Sequence, residues 1–143
     1  MAPFLSLLAL MIAASPASAE LIQCPAKIDV NQRLAAQIPG WSVVPSVAPD
    51  EMPHQLAGMT FFDGNPQDRA SLVPDKQSKL KAGTVASWTF GVSDRAIWIA
   101  CSYAWTSVVL SRQLPKTIRE CSITYSNQDT IVGLPVIEKF DCK

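Results

Sequence analysis

The second half of the chain alternates between apolar runs and turn residues in a pattern typical of β-strands. Glycine, proline, asparagine and aspartate, which favour turns, separate five runs that are rich in β-branched and aromatic residues. These runs cover residues 84–90, 96–105, 107–110, 120–125 and 136–142. The pattern predicts a mainly β fold, an antiparallel meander that forms a sandwich or a partly closed barrel, with room for one or two short helices.

The first half of the chain gives weaker signals. Residues 56–62 form an apolar and aromatic run that stops at Asp63-Gly64-Asn65-Pro66, which predicts a strand followed by a tight turn. Residues 29–38 fit either a short helix or a strand, and residues 41–44 fit a short strand. Residues 67–81 are polar and predict a surface loop, while 111–119 are compatible with a helical turn because proline is accepted at a helix start.

The amino terminus predicts export. Residues 4–14 form a short apolar run, and Ala17-Ser18-Ala19 follows as a cleavage site of the A-x-A type. The run is too short to span a membrane, so residues 1–19 are predicted to be a cleaved signal peptide and residues 20–143 a single β-rich domain. A lipid anchor on Cys24 is the alternative, but Gln23 is a poor residue for that position. We therefore expect a periplasmic or secreted protein without a membrane anchor.

Charge restricts the class of partner. The sequence contains 12 Lys and Arg against 12 Asp and Glu, and its isoelectric point is about 6.5. Nucleic acids and anionic lipids select basic surfaces. The balance therefore argues against either of them as the partner.

The four cysteines predict two structural disulfides. An even number in an exported chain is typical of disulfide bonding, and the close pairs used by zinc and redox sites are absent from the sequence. Three pairings are open. We predict Cys101–Cys121, because both lie on consecutive predicted strands, and Cys24–Cys142, because these two lie at the ends of the mature chain.

Strand alternation singles out Trp98. On a regular strand over 96–105, the alternate residues from Ile97 to Trp105 share a face that resembles core, and Trp98 lies on the opposite face among small residues. Trp98 is therefore either covered by a second layer of chain or open to a ligand. Trp88 is predicted to be in the core.

Catalytic motifs are not found, which favours a protein that is not an enzyme. His54, the one histidine, lies in a polar stretch and is predicted to be a solvated loop residue. Asp63 and Asp68 are candidates for an acid and base pair, but Asp63, Asn65 and Asp68 also fit an ordinary turn. We take these three residues and Trp98 as the candidate binding residues, and we expect no cofactor and no metal.

The order of short motifs along the mature chain resembles a family of small exported proteobacterial proteins of uncharacterised function. The motifs are Cys24-Pro25, Phe62-Asp63-Gly64-x-Pro66, Leu72-x-Pro74, Trp88, Trp98-x-x-Cys101-x-Tyr103-x-x-Thr106, Leu114-Pro115 and Cys121. The resemblance implies residence in the cell envelope and a disulfide-bonded β domain, and it transfers no catalytic residue. In architecture alone the chain also resembles periplasmic lysozyme inhibitors.

These observations favour a non-catalytic binding or inhibitory module for an envelope protein or a cell-wall glycan. One alternative is a small hydrolase of envelope polymers that uses two of Asp63, Asp68 and Asp75. The other is an accessory protein that pairs an exposed edge strand with another chain, and residues 107–110 are the candidate strand.

Overall fold

Antiparallel strand pairing organises the part of the chain that the computed structural model describes, residues 22–44, 54–92 and 95–143. One sheet has the strand order β1-β2-β6-β7, with β3 beside β2, and the second has the order β4-β5-β8-β9. The strands are β1 Lys27–Ile28, β2 His54–Asp63, β3 Ser71–Leu72, β4 Lys76–Lys79, β5 Gly83–Thr89, β6 Ile97–Tyr103, β7 Val109–Gln113, β8 Glu120–Ile131 and β9 Leu134–Cys142. The predicted mainly antiparallel β fold is confirmed, as two sheets rather than a closed barrel.

Local hairpins and two distant pairings build the sheets. Five pairs join strands that follow one another in sequence: β1 with β2, β2 with β3, β4 with β5, β6 with β7 and β8 with β9. The pairs β2 with β6 and β5 with β8 join strands that are far apart. The β2–β6 pair brings the first half of the chain against the second, whereas β5 and β8 both lie in the second half.

Aromatic side chains fill the space between the sheets. Phe61 on β2 has no exposed surface, and its ring centroid lies 4.9 Å from that of Trp88 on β5. The ring centroid of Phe90, the residue after β5, lies 5.3 Å from that of Phe61. The ring centroid of Phe140, on β9, lies 6.3 Å from that of Phe61. The indole nitrogen of Trp88 donates to the Leu72 carbonyl at 3.2 Å, so its one polar atom is satisfied. The predicted core position of Trp88 is confirmed.

The segment before β1 is tied to the first sheet. The Leu56 amide donates to the Ala26 carbonyl at 2.9 Å, and the Tyr103 hydroxyl donates to the Pro25 carbonyl at 3.1 Å. Burial raises the pKa of Tyr103, which keeps the phenol protonated and able to donate. A disulfide from Cys24 to Cys101 completes this attachment.

The predicted disulfide pairing is wrong. The structure pairs Cys24 with Cys101, with Cα atoms 5.9 Å apart, and Cys121 with Cys142, with Cα atoms 4.1 Å apart. Cys101 and Cys121 lie on β6 and β8, which belong to different sheets and do not pair. Because β9 pairs with β8, Cys142 stands directly opposite Cys121.

Several local predictions are also corrected. The stretch 67–81, predicted as a loop, contains most of the 3-10 turn Pro66–Asp68 and both β3 and β4. β3 has only two residues and β4 is wholly polar, so no apolar alternation marks either strand.

Residues 29–38 form neither a helix nor a strand, and 41–44 form no strand. In place of a predicted helical turn, the Ile118 amide bonds to the Pro115 carbonyl at 3.0 Å in a single turn. No helix in the described ranges is long and apolar enough to cross a membrane. The predicted signal peptide, residues 1–19, lies outside the described residues.

Candidate functional site

Three of the predicted site residues meet in one turn after β2. Asp63 ends the strand, and Asn65 caps the 3-10 turn Pro66–Asp68 by accepting a hydrogen bond from the Gln67 amide at 3.0 Å. Asp68 lies at the end of that turn. Asparagine is a preferred cap because its side-chain oxygen satisfies a backbone amide that the turn leaves without a partner. The polar residues of the turn are therefore used to build it.

Arg95 draws the two carboxylates of the turn together. Its Nε lies 3.7 Å from Asp63 Oδ1, and its Nη2 lies 3.5 Å from Asp68 Oδ2. The Gly64 amide donates to the Ala96 carbonyl at 2.9 Å, so backbone and side chains both join this turn to the start of β6. Asp63 and Asp68 thus share one guanidinium instead of facing each other as an acid and a base.

Gly64 provides a direct test of this turn. Its φ is +94°, a conformation that side chains disfavour, and an added Cβ would collide with the Arg95 guanidinium. We expect Gly64→Ala to lower the free energy of unfolding by about 1–2 kcal/mol in urea titration. Gly91→Ala is the control, because nothing lies within 4 Å of the Cβ it would add. Equal stability of the two variants would contradict this account of the turn.

Trp98 lies on a different surface from the Asp63 turn. It is partly buried and stands between Phe62 on β2 and Gln113 on β7. Asp63 pairs with Ile97, the residue before Trp98, and successive side chains on a strand point to opposite faces. The structure therefore does not combine Trp98 and the Asp63 turn into one site.

Two further residues differ from their predicted positions. Trp105, predicted on the core face of the β6 strand, has a φ of +62° and is 65% exposed, because the chain turns after Tyr103 and ends the alternation. His54, predicted as a solvated loop residue, is the first residue of β2 and is buried. Its Nδ1 lies 2.7 Å from the Ala104 carbonyl oxygen, which gives the ring a structural partner.

Asp75, the third candidate carboxylate, is also engaged in a hydrogen bond. Asp75 Oδ2 accepts a hydrogen bond from the Thr89 amide at 2.6 Å. In the part of the chain that the structure describes, no group of three or more His, Cys, Asp or Glu side chains is placed to hold a metal ion.

Among the described strands, β7 forms one edge of the five-stranded sheet. It pairs with β6 on one side, and no described strand pairs with its other side. Val109 is 53% exposed, and its neighbours Val108 and Leu110 are also exposed. The predicted edge strand 107–110 thus lies at a sheet edge, although the observed strand begins at Val109 and continues to Gln113.

The phase of the β6–β7 ladder shows which backbone groups face outward. The Leu114 amide donates to the Ile97 carbonyl at 2.8 Å, which makes these two opposite residues a hydrogen-bonded pair. Antiparallel pairs alternate between bonded and non-bonded types. Val109, Ser111 and Gln113 therefore direct their backbone N–H and C=O groups away from β6. The sequence pattern does not mark Ser111 and Gln113, because polar residues at an exposed edge give no apolar signal.

Comparisons with known proteins place the chain among immunity proteins. A family model described as type VI secretion system Tli immunity protein matches residues 49–143, which include β2 to β9. An uncharacterized 16.3 kDa protein from the trpG 5′ region of Azospirillum brasilense is 34% identical over 129 residues, which are 84% of this chain and 83% of that protein. No solved structure is significantly similar.

These matches agree with the predicted resemblance to a little-characterised family but do not support the likeness to lysozyme inhibitors. The family model covers well over half of the chain and both sheets. The protein therefore belongs to the family of Tli immunity proteins of the type VI secretion system.

Proposed function

We propose that this protein is a non-catalytic immunity protein that binds a type VI secretion effector in the periplasm and blocks its action. The observation that carries the proposal is the family match, which extends across every strand from β2 to β9. Immunity proteins of this family bind and inhibit effectors. The partner proposed here is thus a protein, the effector, rather than a cell-wall glycan.

The geometry of the polar residues supports binding over hydrolysis. Asp63 and Asp68 are bridged by Arg95, and Asp75 is bonded to a backbone amide. A carboxylate hydrolase needs one carboxyl group kept protonated beside an ionised one. An inhibitor that acts by covering its target needs no such pair.

The chemistry of the cysteines supports the periplasm as the compartment. All four cysteines form disulfides, and these bonds persist in oxidising surroundings. The predicted signal peptide, with its A-x-A site at residues 17–19, also supports export.

A neutralisation assay tests the proposal. Effector candidates from the host's own type VI secretion loci are directed to the periplasm of a susceptible bacterium, with or without the full chain. We expect the full chain to restore growth against one effector, and the chain without residues 1–19 to fail. Restored growth by the leaderless chain would reject the periplasmic site of action.

Direct binding provides the second readout. The mature protein, with both disulfides formed, is titrated calorimetrically with each effector carrying an inactivating substitution. We expect a one-to-one complex with the effector that is neutralised. Absence of both binding and growth rescue for every candidate effector would reject the proposed function.

A further inference from the structure

The outer side of β7, which no described strand covers, is suited to receive another strand. We propose that an extended segment of the effector pairs with β7 and lengthens the five-stranded sheet, an inference that rests on the proposed function. Partner strands are commonly recognised in this way, with main-chain hydrogen bonds supplying affinity and adjacent pockets supplying specificity.

The backbone of β7 presents a regular set of groups to such a strand. Val109, Ser111 and Gln113 each direct an N–H and a C=O outward, as the β6–β7 ladder requires. No hydrogen bond among the described residues joins β7 to a strand on that side. Three alternate residues therefore offer up to six hydrogen bonds along one edge.

The other described edges carry features that discourage pairing. Strand β4 has the sequence KQSK, and its two lysines are exposed. Strand β9 contains Pro135 near its start and three charged residues further along, and β1 and β3 are each two residues long. Lysine, proline and short length are the usual protections of sheet edges against added strands. β7 instead presents Val109 and Leu110 and contains one charged residue.

Charge and shape define the segment that fits. Residues 106–119 contain Arg112, Lys116 and Arg119 and no carboxylate. Beyond the end of β7 a cavity of about 250 Å³ is lined by Lys116 and Arg119, together with Leu114 and Pro115. The effector segment is therefore an extended strand with carboxylates placed to meet this positive end.

A second cavity lies on the inner side of the edge. It measures about 220 Å³ and lies between β7 and residues 22–25, with Ile22, Ile99 and Leu110 in its lining. Alternate side chains of an added strand point to this side of the sheet. The cavity is thus placed to accept an apolar side chain of the effector segment.

A proline placed at Ser111 tests the strand pairing. Ser111→Pro removes one outward N–H but leaves the hydrogen bonds between β6 and β7 in place, and proline is tolerated on edge strands. We expect the dissociation constant for the inactivated effector to rise at least about tenfold, because the proline ring also keeps the added strand from approaching β7 closely.

Gln77→Pro is the matched control on the edge of the second sheet. The Leu80 amide donates to the Gly83 carbonyl at 2.7 Å, and the alternation from that pair directs the Gln77 backbone away from β5. We expect this variant to bind the effector as the wild type does. Circular dichroism and urea titration establish that both proline variants are folded.

Hydrogen exchange of the unsubstituted complex gives a readout that requires no variant. We expect the amides of Val109, Ser111 and Gln113 to exchange more slowly in the complex than in the protein alone. If these amides stay unprotected and Ser111→Pro binds normally, the strand-pairing proposal is overturned while the immunity function stands. Failure of the wild type to bind any effector overturns both.

Self-association is the remaining outcome. If the protein alone is a dimer by light scattering, and Ser111→Pro makes it a monomer without weakening the effector complex, the occupant of the edge is a second copy. That result would overturn the effector as the occupant.

Discussion

Phe61→Ala is expected to lower the free energy of unfolding by about 3–5 kcal/mol, the range for removing a fully buried phenylalanine. Phe61 has no exposed surface and contacts the rings of Trp88, Phe90 and Phe140. Phe61 lies on the first sheet, whereas Trp88 and Phe140 lie on strands of the second, so removal of Phe61 leaves a cavity between the two sheets. Urea titration followed by tryptophan fluorescence measures the change.

Phe62→Ala is the matched control for that substitution. Phe62 is the next residue on β2, is partly buried, and pairs with Trp98 on the outer side of the sheet. A partly buried side chain stabilises the fold less than a fully buried one, so we expect Phe62→Ala to lower the free energy of unfolding by about 1 kcal/mol. If Phe62→Ala costs as much as Phe61→Ala, the assignment of inner and outer faces on β2 is wrong.

The strands could be predicted where the apolar pattern is local. β5, β6 and β9 carry β-branched or aromatic residues, and each begins and ends within two residues of its predicted range, whereas β8 continues six residues beyond the predicted end at 125. β4 could not be predicted, because it is polar and is held by backbone pairing with β5. Local propensity carries no information about a strand that is formed by its partner.

Distant contacts were the least predictable feature of the chain. The pairing of Cys101 depends on which strands share a sheet, and the sequence does not reveal that β6 and β8 are separated. The prediction for Trp105 is wrong for a related reason: the predicted alternation continues past Tyr103, where β6 ends, and the chain turns at Trp105.

The sequence predicts which residues form the turn after β2 but not which side chains they contact. Asp63, Asn65 and Asp68 do lie in one turn, as the Asp-Gly-Asn-Pro signal indicates. Their link to Arg95 is a contact between distant segments and has no sequence signal. Which β7 residues direct their backbone groups outward follows from the hydrogen bond between the Leu114 amide and the Ile97 carbonyl. No pattern of residue types reveals that bond.

Removal of the Cys24–Cys101 disulfide, by Cys24→Ala with Cys101→Ala, is expected to lower the free energy of unfolding by about 4.5 kcal/mol. The two cysteines are 77 residues apart in sequence, so the bond closes a loop that includes most of the first sheet. In the chain-entropy model, a longer closed loop restricts the unfolded chain more strongly.

The Cys121–Cys142 disulfide provides the comparison, because it spans 21 residues and joins neighbouring strands that already pair through their backbones. The same model gives about 3.4 kcal/mol for Cys121→Ala with Cys142→Ala, roughly 1 kcal/mol less than for the longer loop. Urea titration of the two double variants measures this difference. A larger loss from the shorter loop would contradict the loop-length account, and would mean that the buried sulfur of Cys121 contributes more through packing than through restriction of the unfolded chain.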